Sequence, residues 1–405
     1  MEKAPRLMAA ALKFSPQQSP SFMIASAAYF ARIFRQQKPW SYMIAVNLAI
    51  MVGLVIYKFY FGNPLVQYSY LLADYHFGFM KRALLGAILA LFQDKIAISE
   101  VFIIALTVWL LTMALFIVLF KRTFGFRGDR LALFVFIFGS PVFFKNFFHA
   151  YGFFDIYGCL FAIAVLLMPV NRLFPLIVGA GCAVLVLIHH LHFLLYIPAI
   201  AVIAVIRFYC LRPFSRADIV YGAIAMLPMI AAFITSMFFG NAPVSEDELI
   251  EYFKTRATGP LTYWNIRIWH TSIEQELAKT AAEFSKNVLR LPVYALLIAL
   301  HWPLIRFMRR LYFSIADKIH RLIVILGIAG ITAGYGIIFI FVYDYARWFS
   351  SWAVCMMLMM HALAMLQKQS GVPAPAFSTP ETQKNDSIYG WIVTAIPRVG
   401  LQIPF

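Results

Sequence analysis

Four stretches of this sequence carry the side chains that chemistry needs, and each stands at the end of an apolar run. In ADYHFGFMKRALLGAIL, Asp74 is followed by Lys81 and Arg82. Asp74 and Lys81 are seven residues apart, which on a helix puts them on nearly one face, and Gly78 between them permits close approach. A carboxylate beside cations at a water–lipid boundary can be ionised and take a proton from a hydroxyl. Arg82 could hold a phosphate through its bidentate fork and Lys81 as a point charge. An interfacial, salt-bridged helix with snorkelling basic residues would use the same residues.

In FKNFFHAYGFFDIYG, His149 and Asp155 lie close to a span entry with Tyr151 and Tyr157, and Asp155 also suits a helix N-cap. LIHHLHFLLYIP sets His189 and His190 at one span's exit and His192 in the tight turn after it. His189 and His190 face different ways and no carboxylate stands at ligand spacing. Hydrogen bonding to phosphate or sugar hydroxyls therefore suits these histidines better than a metal. In FVYDYARWFSSW, Asp344 and Arg347 are i,i+3 neighbours that can pair within one helical turn. With two tyrosines and a tryptophan beside them, they would also suit a pyrophosphate and a sugar.

The elements that must position these groups are membrane spans. The chain is 62% hydrophobic and only 13% charged over 405 residues, and several apolar runs reach the length that crosses a bilayer as helix. The expected fold is an all-α polytopic transmembrane bundle. Its spans read as 41–61, 101–120, 131–148, 156–170, 173–190, 193–208, 218–239, 292–307, 322–343 and 349–367, about ten in all. Residues 1–40 form a basic amino terminus with an interfacial helix at 21–36, where Arg32 and Arg35 sit at its end. Residues 41–367 are the transmembrane domain and 368–405 a polar cytoplasmic tail. The basic loops KRTFGFRGDR and RFMRRLYFSIADKIHR support this threading, which leaves both termini in the cytoplasm. The site-forming ends, with loops 62–100 and 240–291, then fall on the exoplasmic face, in a membrane of the bacterial inner type. No cleavable signal peptide is read at the amino terminus.

The net charge of +16 would suggest nucleic acid in a soluble chain; here the excess lies in loops and flanks that meet lipid headgroups. The four cysteines read as buried thiols. In the loop 240–291, Ser245 with Glu248 is a capping box opening the acidic helix SEDELIEYF. Residues 273–289 have the apolar spacing of an amphipathic interfacial helix. Between these two, Trp264, Arg267 and Trp269 gather in TGPLTYWNIRIWH, as a sugar or headgroup surface or as an aromatic belt.

No Walker loop, dinucleotide fingerprint or GxSxG elbow occurs. An enzyme that uses an already activated lipid-linked donor needs none of them. The chain resembles the GT-C class of integral-membrane glycosyltransferases, through its architecture, its acidic residue in the first exoplasmic loop (Asp74) and its enlarged late exoplasmic loop. It departs from better-known members in having a single carboxylate between the first span and Gln93, and no WWD-type motif. The resemblance implies a polyprenyl-phosphate sugar as donor, a glycan or lipid as acceptor, and Asp74 as base. Arg82 or Arg347 would hold donor phosphate, and Asp155 and Asp344 compete for the base's role. No cofactor is specified, and a divalent metal stays open. A polymerase or ligase of lipid-linked polysaccharide repeats would share this chemistry. A transporter would instead need polar groups deep in the spans and on both faces, where this sequence has almost none.

Overall fold

The computed structural model of the chain describes residues 38–398 other than 127, 212, 214, 262, 342 and 343, without the side chains of residues 38, 149, 264, 265, 273, 286 and 287. The interfacial helix expected at 21–36 lies outside the described residues. Helix is their one regular structure, joined by turns and loops; the one β element among them is an isolated bridge between Ile96 and Ala257.

In chain order the helices are α1 (Lys38–Phe61), α2 (Leu65–Leu72), α3 (Leu84–Ala90), α4 (Ile98–Thr123), α5 (Arg130–Phe138) and α6 (Phe144–His149). Next come α7 (Asp155–Leu167), α8 (Phe174–Ile188), a 3-10 turn at His190–Phe193, α9 (Ile197–Val205), α10 (Arg216–Ala225) and α11 (Leu227–Phe239). The rest are α12 (Glu246–Arg256), α13 (Tyr263–Ile266), α14 (Ile273–Val288), α15 (Leu291–Leu300), α16 (Trp302–Phe313), α17 (Lys318–Phe341), α18 (Tyr345–Gln369) and α19 (Gln383–Ala395).

Among the described residues six helical stretches are long and apolar enough to cross a membrane: Pro39–Phe61, Ile98–Thr123, His190–Cys210, Arg216–Phe239, Lys318–Phe341 and Tyr345–Gln369. The pair α15 and α16, bent by 62° at His301, makes a seventh if it counts as one broken span. Proline explains the break, since Pro303 suits the first turn of a new helix and cannot continue an old one. The expected span 131–148 is instead two short helices, α5 and α6, parted at Ser140 and Pro141; α5 is buried on all sides. The expected spans 156–170 and 173–190 correspond to α7 and α8, apolar helices of 13 and 15 residues.

The large aromatic core runs through the bundle, and α18 is its most enclosed long helix. A second, separate core lies in the two long loops. Residues around α2 and α3 and around α12 and α13 pack together through Tyr68, Leu71, Met80, Ile96, Leu249, Phe253 and Trp269. Main-chain bonds tie these loops: Ile96 N–H donates to Arg256 O at 2.8 Å and Thr258 N–H to Ile96 O at 3.2 Å. The loops are therefore one folded cap on the bundle. Ser245 caps α12 by accepting from Glu248 N–H at 3.2 Å, as the sequence suggests, and α14 forms as the expected amphipathic helix.

Candidate functional site

The cap and the ends of three bundle segments bring one group of charged and polar side chains together. Asp155 is the first residue of α7, and Arg347 lies in the first turn of α18. Arg347 Nε stands 2.9 Å from Asp155 Oδ2, with the Asp155 side chain 2% and the Arg347 side chain 13% exposed. The guanidinium also lies 4.4 Å from the Phe153 ring centroid and 4.1 Å from that of Trp348, and such faces attract a cation. Asp344, just before α18, reaches Arg347 Nη1 at 3.4 Å and keeps its side chain 41% exposed.

Close contact between Asp155 and Arg347 is an ion pair without the alignment of a hydrogen bond. Neither oxygen of Asp155 accepts a hydrogen bond among the described residues. Buried polar atoms are normally hydrogen-bonded, so a buried carboxylate held by its ion pair alone marks a place of interest.

The histidines form the next layer. His192 is fully buried and its Nε2 meets Phe154 O at 3.1 Å. His189 Nδ1 accepts from Leu191 N–H at 3.2 Å, and its ring centroid lies 5.6 Å from His190 and 5.7 Å from His192. The buried Nδ1 atoms of His190 and His192 have no hydrogen-bond partner among the described residues.

Arg82 reaches this layer from the cap. Its Nη1 donates to Tyr70 Oη at 2.7 Å, and the Tyr70 ring packs 5.3 Å from that of Phe154. Arg82 and Arg347 both act electrostatically on His189, and Arg82 acts on Asp155 as well. Arg82 is the one residue other than glycine with positive φ among the described residues, at 65°. Backbone strain at a buried arginine persists only where the surroundings hold it, and it collects at functional sites.

Asp74 and Lys81 are not on one helix. The chain between α2 and α3 is a set of turns, with Gly78 at φ 95°, a conformation that glycine adopts without strain. Asp74 is instead held within the cap. Its Oδ2 takes Arg256 Nη1 at 2.7 Å and Tyr252 Oη at 2.7 Å, and its Oδ1 takes His76 N–H at 2.9 Å. Arg256 is buried and also donates to Leu72 O at 2.5 Å. Burial, and then the bond to Asp74, push the Tyr252 hydroxyl up to about 12.

Lys81 Nζ donates to Asn241 Oδ1 at 2.8 Å. Burial and neighbouring Arg82 bring its ammonium down to about 8, against the opposing pull of Glu276. Trp269 is fully buried in the cap core, where its Nε1–H donates to Lys81 O at 2.7 Å. It thus fixes the Lys81–Arg82 turn rather than forming a surface. Arg267 is exposed. The side chains of His149 and Trp264 lie outside what is described.

Sequence reasoning missed Tyr70, Phe153 and Arg256. Arg256 carried a signal, as a lone arginine closing an acidic helix; the aromatic residues carried none among so many others. No group of three or more His, Cys, Asp or Glu side chains that could hold a metal ion is found among the described residues.

An apolar groove of about 640 Å³ lies between α14 and the end of α17, lined by Leu277, Ala281, Phe284, Phe339, Ile340 and Tyr345. Tyr345 directly follows Asp344, so the groove adjoins the charged cluster.

The fold and site define a helical, membrane-type protein with a capped polar cluster at one end of its bundle. Comparison of the chain with protein-family models, with curated proteins and with solved structures finds no match.

Proposed function

We propose that the protein is a membrane glycosyltransferase, taking a sugar from a polyprenyl-phosphate-linked donor and passing it to a glycan or lipid-linked acceptor on the exoplasmic face. The observation that carries this reading is the gathering of Asp155 with Arg347, and of Arg82 with the three histidines, at one end of the bundle near an apolar groove. Arg82, whose described partners are the neutral hydroxyl and ring of Tyr70, suits a phosphate, and the groove suits the hydrocarbon attached to it.

Of the three carboxylates, Asp344 is the best base. It is the most exposed and stands 3.4 Å from Arg347, whereas Asp74 is committed to Arg256 and Tyr252. Asp344 would take the acceptor hydroxyl proton as that oxygen attacks the anomeric carbon. The bond from that carbon to the phosphate oxygen breaks, and polyprenyl phosphate leaves with the electron pair, its charge held by Arg82, Arg347 and Lys81. Asp155 is then a positioning residue that keeps Arg347 in place.

With this reading go about ten crossings, the short helices α7 and α8 among them. A cytoplasmic amino terminus, an exoplasmic cap built from loops 62–100 and 240–291, and a bacterial inner membrane belong to the same proposal. The test is reconstitution of purified protein with a polyprenyl-phosphate sugar and glycan or lipid acceptors, following release of polyprenyl phosphate. Release that depends on Asp344 and Arg347 supports the reading. Binding without turnover, together with thiol labelling of a path from both membrane faces, would establish a transporter instead.

A further inference from the structure

The carboxyl-terminal helix is built into the bundle, and its contacts change level along its length. Before it, Arg130 Nη2 donates to Pro375 O at 2.9 Å and Arg310 Nη2 to Phe377 O at 2.8 Å. In its first turn, buried Asp386 accepts from Arg306 Nη2 at 2.7 and 2.8 Å and from the Ser378 hydroxyl at 2.7 Å. Arg130 opens α5 and Arg306 and Arg310 lie on α16, all within the basic stretches that the threading puts on the cytoplasmic side.

From that level α19 runs inward. Gly390 packs against Trp40 and Met43 of α1, and Thr394 against Gly139. At the helix end, Lys145 Nζ donates to Thr394 O at 2.8 Å and to Val393 O at 3.4 Å, and Lys145 has no exposed surface. The depth of this point follows from the neighbouring residue: Phe144 O accepts from Trp109 Nε1 at 3.1 Å. Trp109 lies about 16 Å along α4 from its cap-side end, near mid-membrane if α4 spans the bilayer.

A helix that ends in hydrocarbon leaves its last carbonyls unsatisfied and a partial negative charge exposed. A buried ammonium answers both. The chain then continues extended through Ile396 and Pro397, the latter having no N–H to satisfy. Arg398 comes within electrostatic reach of Lys58, close to the cap-side end of α1. Thirteen helical residues and three extended ones reach about 30 Å, the thickness of the hydrocarbon layer. Ile388, Trp391 and Ile392 are exposed along the helix, as a lipid-facing side requires.

We propose that residues 383–398 carry the chain across the bilayer, so that Arg398 lies toward the same face as the cap, opposite Arg130, Arg306 and Arg310. This replaces the expectation of a cytoplasmic tail and is independent of the enzymatic reading. The test uses Lys384→Cys, Arg398→Cys and an epitope tag after Phe405, each in the full chain, whose own cysteines are buried. Membrane-impermeant maleimide should label Lys384→Cys only in inverted vesicles and Arg398→Cys only in right-side-out ones. Protease added to right-side-out vesicles should remove the tag. Labelling of both cysteines from one face, or tag removal from the same face that labels Lys384→Cys, would overturn the proposal. Both results exchanged between the vesicle types would instead overturn only the cytoplasmic assignment of the amino terminus.

Discussion

Arg347 Nε and Asp155 Oδ2 stand 2.9 Å apart, joining the first turns of α18 and α7 in a place where neither side chain meets much water. Loss of the arginine alone would strand a buried carboxylate, which costs about 3–5 kcal/mol. Arg347→Gln should therefore lower the thermal midpoint of the purified protein markedly. Asp155→Asn together with Arg347→Gln should recover most of that stability and none of the activity. A thermal-shift comparison of the single and double variants checks both.

Asp344 and Asp74 should separate by phenotype. Asp344→Asn removes a half-exposed carboxylate whose only described ion pair is at 3.4 Å. Turnover should fall about 10²- to 10⁴-fold, as for loss of a general base, with little change in stability. Asp74→Asn breaks an ion pair to buried Arg256 at 2.7 Å, so the cap should loosen. Limited proteolysis within 240–291 would report that loosening, and an unchanged digestion pattern would refute the structural role of Asp74.

Backbone strain at Arg82 can be read by comparing two truncations. Arg82→Ala and Arg82→Gly both delete the guanidinium bonded to Tyr70, but only glycine sits easily at φ 65°. The glycine variant should be the more stable by about 1–2 kcal/mol, measured by denaturation in detergent. Both should bind polyprenyl phosphate more weakly than the parent.

Lys81 makes anion binding sensitive to pH. Its ammonium is brought down from 10.5 to about 8 in the folded protein. Attraction for a phosphate should therefore decline as pH rises through about 8. Stability moves the other way. Between about 8 and 10.5 the unfolded chain retains a proton that the folded chain has lost, so folding gains with pH across that window. Affinity for polyprenyl phosphate measured on both sides of pH 8 should drop in the parent and stay flat in Lys81→Met.

Ser245 was legible as a cap and 273–289 as an amphipathic helix because each depends on neighbours within a few residues. The break at Ser140 and Pro141 had a local signal too, since Gly139, Ser140 and Pro141 interrupt the apolar run and left 131–148 open as a short or re-entrant element. Local spacing put Asp74 and Lys81 on one helix, although Gly78 and Arg82 hold that segment in left-handed turns. The Asp74–Arg256 pair was beyond reach, because it depends on two loops sharing a core.

By itself, then, the sequence determined the class of protein and the stretches that matter. Apolar length and the cost of burying charge in lipid are properties of composition and order along the chain. Only the tertiary structure decided which carboxylate is spent on which cation. Asp74 is tied to Arg256, Asp155 to Arg347, and Asp344 is left half open to water. Those assignments turn on distances of a few ångströms between residues remote in sequence, and packing alone sets them.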